Sequence, residues 1–247
     1  MNNTSNSKET LHLVKISNYQ IFCFSDMDQA VDYVYQHCLA SACSAIAINP
    51  EKIISSSHDL ELANIIESSE LRYLDGIGAC ILASIRLKKR IARIPGCELW
   101  ERVMERSVYE GKKVYLVGAT KETVFETKQL LESKYGVNVV GYTDGYFSDE
   151  RLLIDNIRNL SPDIVSVAMG SPKQERFIAA CKAKGITSFL MGVGGTYDVF
   201  TGKVRRAPRV YRNLGMEWFY RLLCQPSRVI RQAKLINFIV LALRGKI

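Results

Sequence analysis

From about residue 43 the chain alternates short apolar runs of strand length with longer segments of helical spacing. The runs are Cys43 to Ile48, Leu71 to Leu74, Val114 to Val117, Val137 to Val140, Ile164 to Met169 and Ile186 to Met191. A strand that is apolar on both faces must be covered on both, which a parallel sheet between helices provides and a half-exposed antiparallel sheet does not. The expected fold is α/β and Rossmann-like, a largely parallel sheet covered by helices. Helix starts are marked at Ser25 with Asp28 three residues on, ahead of a helix from about Asp26 to Leu39, and at Thr120 before Lys121 to Lys134. A third start is Ser171-Pro172-Lys173-Gln174, read as N-cap, N1 proline and capping-box glutamine. Gly111 and Gly185 read as C-terminal caps, and Leu11 to Phe24 as two short strands joined near Asn18.

The charge is divided sharply. Residues 201–247 hold 11 Lys and Arg against one acid, Glu217, whereas residues 1–200 carry a net charge of −2. A nearly neutral core over 1–200 and a cationic appendage over 201–247 are the expected domains, and the appendage calls for an anionic partner. Its end, Leu235 to Leu243, is too apolar for a merely solubilising tail. Val229, Ala233, Ile236, Val240 and Leu243 form a stripe beside basic residues, the pattern of a helix lying in a membrane interface. The alternative is a stripe that docks on the protein's own core or on a subunit interface. Nucleic acid is not expected as a partner, because the tail interleaves cations with apolar residues and lacks a recognition motif.

No run of about 18 apolar residues is long enough to cross a bilayer, and Met1 to Glu9 lacks the pattern of a signal peptide, so a non-exported chain is expected. Seven cysteines without a CxxC pair read as reduced thiols, and three histidines without ligand spacing give no expectation of a metal or cofactor.

In open α/β sheets ligands gather at the carboxyl ends of the strands. Four such ends stand out: Asn49-Pro50-Glu51, Asp75-Gly76-Ile77-Gly78, Met169 to Glu175, and Met191 to Asp198. Gly170-Ser171-Pro172 opens a helix whose free backbone donors suit an anionic or polar ligand, and Gly192, Gly194 and Gly195 let a second backbone segment approach it. Neither element is a Walker loop or a GxGxxG fingerprint. Asp75 suits a carboxylate facing a cleft that takes a proton from a substrate hydroxyl; the alternative is a local turn with Gly76. Asn49 suits a donor to a base or sugar hydroxyl, or a plain turn role. Asp26-Met27-Asp28 resembles a DxD metal motif but reads better as acids in a capped first helical turn. Arg228 and Arg231 share a helix face, Arg221 lies on the other side of Pro226, and three guanidinium forks grouped in this way suit a diphosphate. Solvated or lipid-facing arginines are the alternative.

Taken together these segments resemble the WecG/TagA/CpsF glycosyltransferases, glycosyltransferase family 26. The carriers are Asn49-Pro50-Glu51-Lys52, Asp75-Gly76, Asp144-Gly145-Tyr146-Phe147, Met169 to Glu175, Gly192 to Gly202, Arg206-Ala207-Pro208 and Leu214 to Leu222, in order along almost the whole chain. The Met1-Asn2-Asn3 start, Asp26-Met27 and Gln225 to Arg228 look like the enterobacterial branch that acts in common-antigen synthesis. The resemblance implies an inverting transfer of N-acetylmannosaminuronic acid from a UDP-sugar donor, UDP-ManNAcA, to an undecaprenyl-diphosphate-linked GlcNAc acceptor. UDP-ManNAc or another UDP-hexose is the alternative donor. It also implies a peripheral enzyme on the inner face of the cytoplasmic membrane, bound to an anionic membrane surface, and a homo-oligomer off the membrane. By resemblance, Asp75 is the general base. Asn49, Gln174 and Asp198, joined by Tyr146, match positions lining the nucleotide-sugar pocket, which the Gly170, Gly194 and Gly195 backbones read above would border, and Arg221, Arg228 and Arg231 match arginines that close over the UDP diphosphate. Some relatives have Thr where this chain has Ala47, so no hydroxyl is offered there.

Overall fold

The structure, a computed structural model, describes residues 11–208, 210–211, 216–224 and 229–247. Eight strands form one sheet: β1 (His12–Ile16), β2 (Tyr19–Cys23), β3 (Ser44–Ile48), β4 (Leu71–Leu74), β5 (Lys113–Gly118), β6 (Asn138–Thr143), β7 (Ile164–Ala168) and β8 (Phe189–Gly192). Their spatial order is β1-β2-β4-β3-β8-β7-β5-β6. The β1–β2 hairpin is antiparallel, with Ile16 opposite Tyr19, and every other pairing is parallel. Burial follows this plan: the edge strand β1 alternates, whereas all five residues of β7 are buried. The α/β, Rossmann-like expectation is borne out.

Successive strand residues serve opposite faces. Ala45, Leu71, Val114 and Ile164 join Trp100, Val103 and Tyr197 on one side. Ile46, Ile48 and Leu74 meet Ile53, Leu62 and Ala79 on the other, where Val117 and Val165 pack with Leu153 and Phe177. The covering helices are α1 (Met27–Tyr33), α2 (Pro50–Ser56), α3 (Leu60–Ser68), α4 (Ile77–Leu87), α5 (Gly96–Tyr109), α6 (Lys121–Leu130), α7 (Glu150–Leu160), α8 (Lys173–Ala183) and the short α9 (Thr196–Phe200). At the end of β5, Gly118 (φ 116°) passes so close to β7 that an added Cβ would sit 2.3 Å from the Ala168 carbonyl oxygen. No other residue fits there.

Three local expectations are corrected. The cap of α1 is Asp26, not Ser25: Asp26 accepts the Gln29 N–H, while Gln29 Oε1 accepts the Ser25 N–H at 2.8 Å. That is a capping box shifted by one residue, and α1 widens into a π turn over Val34–Cys38 instead of running as one α-helix to Leu39. The cap of α8 is Pro172, not Ser171; its ring has no polar atom to make a side-chain cap bond and no N–H for a capping-box partner, and Gln174 turns inward instead. The last strand begins at Phe189, not Ile186: Ser188 Oγ donates to the Pro162 carbonyl at 2.6 Å and holds that approach as a loop. The capping roles of Thr120, Gly111 and Gly185 hold, both glycines being left-handed.

In the C-terminal segment the described residues include α10 (Glu217–Cys224) and α11 (Val229–Leu243). α11 lies against α2 and the start of α4. Phe238 is buried among Ile48, Ile53 and Ala79, and an added Cβ at Gly78 would stand 3.7 Å from both Leu235 and Phe238. Lys234 Nζ reaches Ser55 Oγ at 2.8 Å. The opposite side of α11 is also apolar yet exposed, with Ile236 at 66% and Leu243 at 84%, beside Ile239 and Val240. A helix apolar on both sides and covered on one has an unpartnered face. Phe238→Ala should remove about 3 to 5 kcal/mol of packing from this seat. The expected result is at least a hundredfold loss of amide-exchange protection along residues 234–243 while the sheet amides keep theirs.

Candidate functional site

A cavity of about 510 Å³ opens at the carboxyl ends of β3, β4, β7 and β8. β3 is the first of the inner strands, β4 lies to one side of it and β8 to the other, so the chain reverses its winding direction between them. Loops diverge at such a reversal and leave a crevice. A second depression, at the β1–β2 turn beside Arg86 and Ile247, has no Asp, Glu, His or Cys side chain among its described lining residues.

The cavity brings together Asn49, Asp75, Gly170, Gln174, Gly194, Gly195 and Asp198, with Ala47, Arg93, Gly96, Cys97, Arg205, Glu217 and Tyr220 also in its wall. Tyr146 is not brought there. It is 78% exposed on the loop after β6, where its N–H is held by Asp144 Oδ1 and Lys173 Nζ donates to the neighbouring Gly145 carbonyl. Arg228 lies outside the described residues. Arg221 falls on α10 and Arg231 on α11, and their side chains are likewise outside the described set.

Asp75 is the first residue beyond β4, and its N–H donates to the Ile48 carbonyl at 3.0 Å, which ties the ends of β3 and β4 together. Its side chain is 27% exposed. Arg93 Nε donates to the Asp75 carbonyl oxygen at 2.5 Å and Nη2 reaches Asp75 Oδ1 at 3.3 Å. The same Nη2 meets Glu217 Oε2 at 3.0 Å. Burial pulls the Arg93 pKa down, but the two carboxylates outweigh it and leave it above the ordinary arginine value. Asp75 Oδ2 makes no hydrogen bond among the described residues and stands 3.7 Å from where a Cβ on Gly96 would lie. It can accept a proton from a ligand hydroxyl without first breaking a protein contact.

Asn49 caps α2, its Oδ1 accepting the Lys52 N–H at 2.9 Å, so the turn reading claims the oxygen and leaves the amide nitrogen for the cavity. Gln174 is also committed. Its Oε1 accepts the Gly194 N–H at 2.9 Å and its Nε2 donates to Glu175 Oε1 at 3.1 Å, so it is a strut between the β7 and β8 loops. Gly192 makes room for that strut, since an added Cβ would lie 2.6 Å from Gln174 Nε2. Gly170 (φ 73°) and Gly194 (φ 57°) differ: an added Cβ would meet nothing within 4 Å at either, so backbone borders open space. A ligand can approach the main chain closely at both.

Beneath the strut lies an ion pair absent from the sequence reading. Lys52 Nζ and Glu175 Oε1 are 2.7 Å apart, with side chains 7% and 1% exposed. Burial pushes the Glu175 carboxyl up, yet Lys52 and the Gln174 and Ser171 hydrogen bonds overcome it and hold it below the ordinary value. Arg93 and Glu217 were also missed as site residues. Glu217 did carry a signal, as the sole acid in a strongly cationic segment; Arg93 gave none, lying between α4 and α5 in no regular element. Among the described residues no group of three or more His, Cys, Asp or Glu side chains is placed to hold a metal ion.

A family model described as the glycosyl transferase WecG/TagA/CpsF family matches residues 14–247, and the chain belongs to that family. It is therefore a glycosyltransferase of a UDP-sugar hexosyltransferase family.

Glu175→Gln should leave Lys52 buried against a neutral partner and cost about 3 to 5 kcal/mol in urea denaturation, whereas joint replacement of both by apolar residues recovers most of it. Because the folded carboxyl titrates below its ordinary value, the unfolded chain takes up the proton first as pH falls. The pair's contribution is thus full above about pH 4.5 and is lost on acidification through the folded value. The wild type should show this acid loss and the double variant should not.

Proposed function

We propose that this glycosyltransferase moves N-acetylmannosaminuronic acid from UDP-ManNAcA to undecaprenyl-diphosphate-GlcNAc with inversion at the sugar carbon. The observation that carries the reading is Asp75, a carboxylate at a strand end with one oxygen unpartnered, in a cavity whose glycine backbones border open space. Single displacement needs one base on the acceptor side and charge stabilisation on the leaving side, unlike the paired carboxylates of retaining glycosidases. Asp75 Oδ2 takes the proton from the acceptor hydroxyl as that oxygen bonds to the anomeric carbon. The bond from that carbon to the β-phosphate oxygen breaks and UDP leaves with the negative charge. The turns at Gly170 and Gly194–Gly195 receive the nucleotide sugar, with Asn49 and Asp198 contributing polar contacts. Arg221, Arg228 and Arg231 neutralise the departing diphosphate, and a lost donor of this kind typically costs about 3 to 4 kcal/mol.

The acceptor's lipid is the reason for the C-terminal segment's composition. No helix among the described residues is long and apolar enough to cross a membrane. The exposed stripe of Ile236, Ile239, Val240 and Leu243, flanked by Arg244 and Lys246, suits shallow insertion into an anionic surface. These features support a location at the inner face of the cytoplasmic membrane, with residues 201–247 serving both lipid and diphosphate.

UDP release with a lipid-diphosphate-GlcNAc analogue and a panel of UDP-sugars tests the reaction. UDP-ManNAcA should be the preferred donor, and Asp75→Asn should lower turnover by about 10²- to 10⁴-fold; equal release by both proteins removes Asp75 from the mechanism, and preference for UDP-ManNAc assigns the alternative donor. Separately, joint Ile236→Glu and Leu243→Glu substitution should weaken flotation with anionic vesicles at least tenfold, since each side chain contributes about 1.5 to 3 kcal/mol when buried.

A further inference from the structure

We propose that Glu217 is a positioning residue that sets the strength of Asp75 as a base by holding Arg93 partly away from it. The inference rests on the assignment of Asp75 as the proton acceptor. Its geometry is a single guanidinium shared between two carboxylates. Arg93 Nη2 lies 3.0 Å from Glu217 Oε2 and 3.3 Å from Asp75 Oδ1, so the shorter contact goes to the residue that performs no chemistry. Arg93 Nε is meanwhile fixed on the Asp75 main-chain oxygen at 2.5 Å. The guanidinium therefore cannot present two parallel N–H groups to the Asp75 carboxylate, the arrangement that binds a carboxylate most strongly.

The other groups around Asp75 leave this pair in control. Tyr73 below it, Cys80 on α4 and Cys97 on α5 sense its charge, but burial raises all three, Tyr73 well above its ordinary value and Cys80 to about 12, so they stay neutral through the working range. Arg206 interacts with Cys97, Glu98 and Glu217 and is bonded to Glu98, and Arg205 lies in the cavity wall. Among the described residues, Arg93 is the cation paired with Asp75. Without Glu217 its full charge would fall on Asp75, stabilising the ionised carboxylate and weakening it as a base. With Glu217 in place, the cation is largely neutralised while its position is kept. Glu217 opens α10 and is buried, so the base acquires its working strength only when that helix is seated.

The test compares pH profiles of kcat/KM for wild type, Glu217→Gln and Glu217→Asp, with Asp75→Asn as reference. The acid limb reports ionisation of Asp75. Glu217→Gln should move that limb to lower pH by about one unit and lower the plateau several-fold, while Glu217→Asp returns both toward wild type. If Glu217→Gln is too slow for a profile, the ¹³C carboxyl resonance of Asp75, assigned by its absence in Asp75→Asn, should titrate at lower pH in the variant. A limb and resonance that stay in place, even with a reduced rate, overturn the proposal and leave Glu217 a residue that merely seats α10. Full transfer by Asp75→Asn instead overturns the assignment of the base, a separate failure.

Discussion

Parallel pairing of β3 with β8 is the constraint on which the rest of the molecule depends. Parallel strands send all their carboxyl ends to one side, and here β3, which begins one winding, lies next to β8, which ends the other. The loops leaving them cannot pack together, so a crevice is unavoidable. Left-handed glycines at 170 and 194 and a helix capped by an asparagine at 49 border it. The remaining strands and both helix layers hold these few residues at fixed separations.

Charge within the crevice is handled in two ways. Lys52 and Glu175 form a closed pair that faces inward and braces the Gln174 strut; it keeps the β7 and β8 loops apart by a set distance. Arg93 is instead divided between two carboxylates and remains near solvent. A closed pair resists titration and suits support, whereas a divided cation responds to whatever alters either partner. That difference separates the framework of the site from its reactive part.

Much of this was legible in the amino-acid order. Continuous apolar runs gave the parallel sheet because both faces of an inner strand must be covered, and the residues directly after those runs, Asn49, Asp75, Gly170 and Gly192, do meet in one cavity. What failed to show was anything decided by side-chain direction. Gln174 looked like a capping residue by spacing but points into the molecule, where Gly194 offers an N–H. Tyr146 follows directly on Asp144-Gly145 yet stays on the surface, where Asp144 holds its N–H and Lys173 the Gly145 carbonyl. Arg93 was invisible because its partners lie 18 and 124 positions away in the chain. Periodicity reports which face a residue occupies, not which distant charge it meets.

The α11 helix has a geometric corollary. Leu235 forms part of the cavity wall while its neighbour Ile236 turns outward. A helix with its side chains is only about 10 Å across, so the outer environment and the reaction chamber are separated by a single rod. For the proposed polyprenyl-linked acceptor, a tail resting along the outside would need to bend no more than that width for its sugar to enter, and such a substrate could be processed without leaving its leaflet.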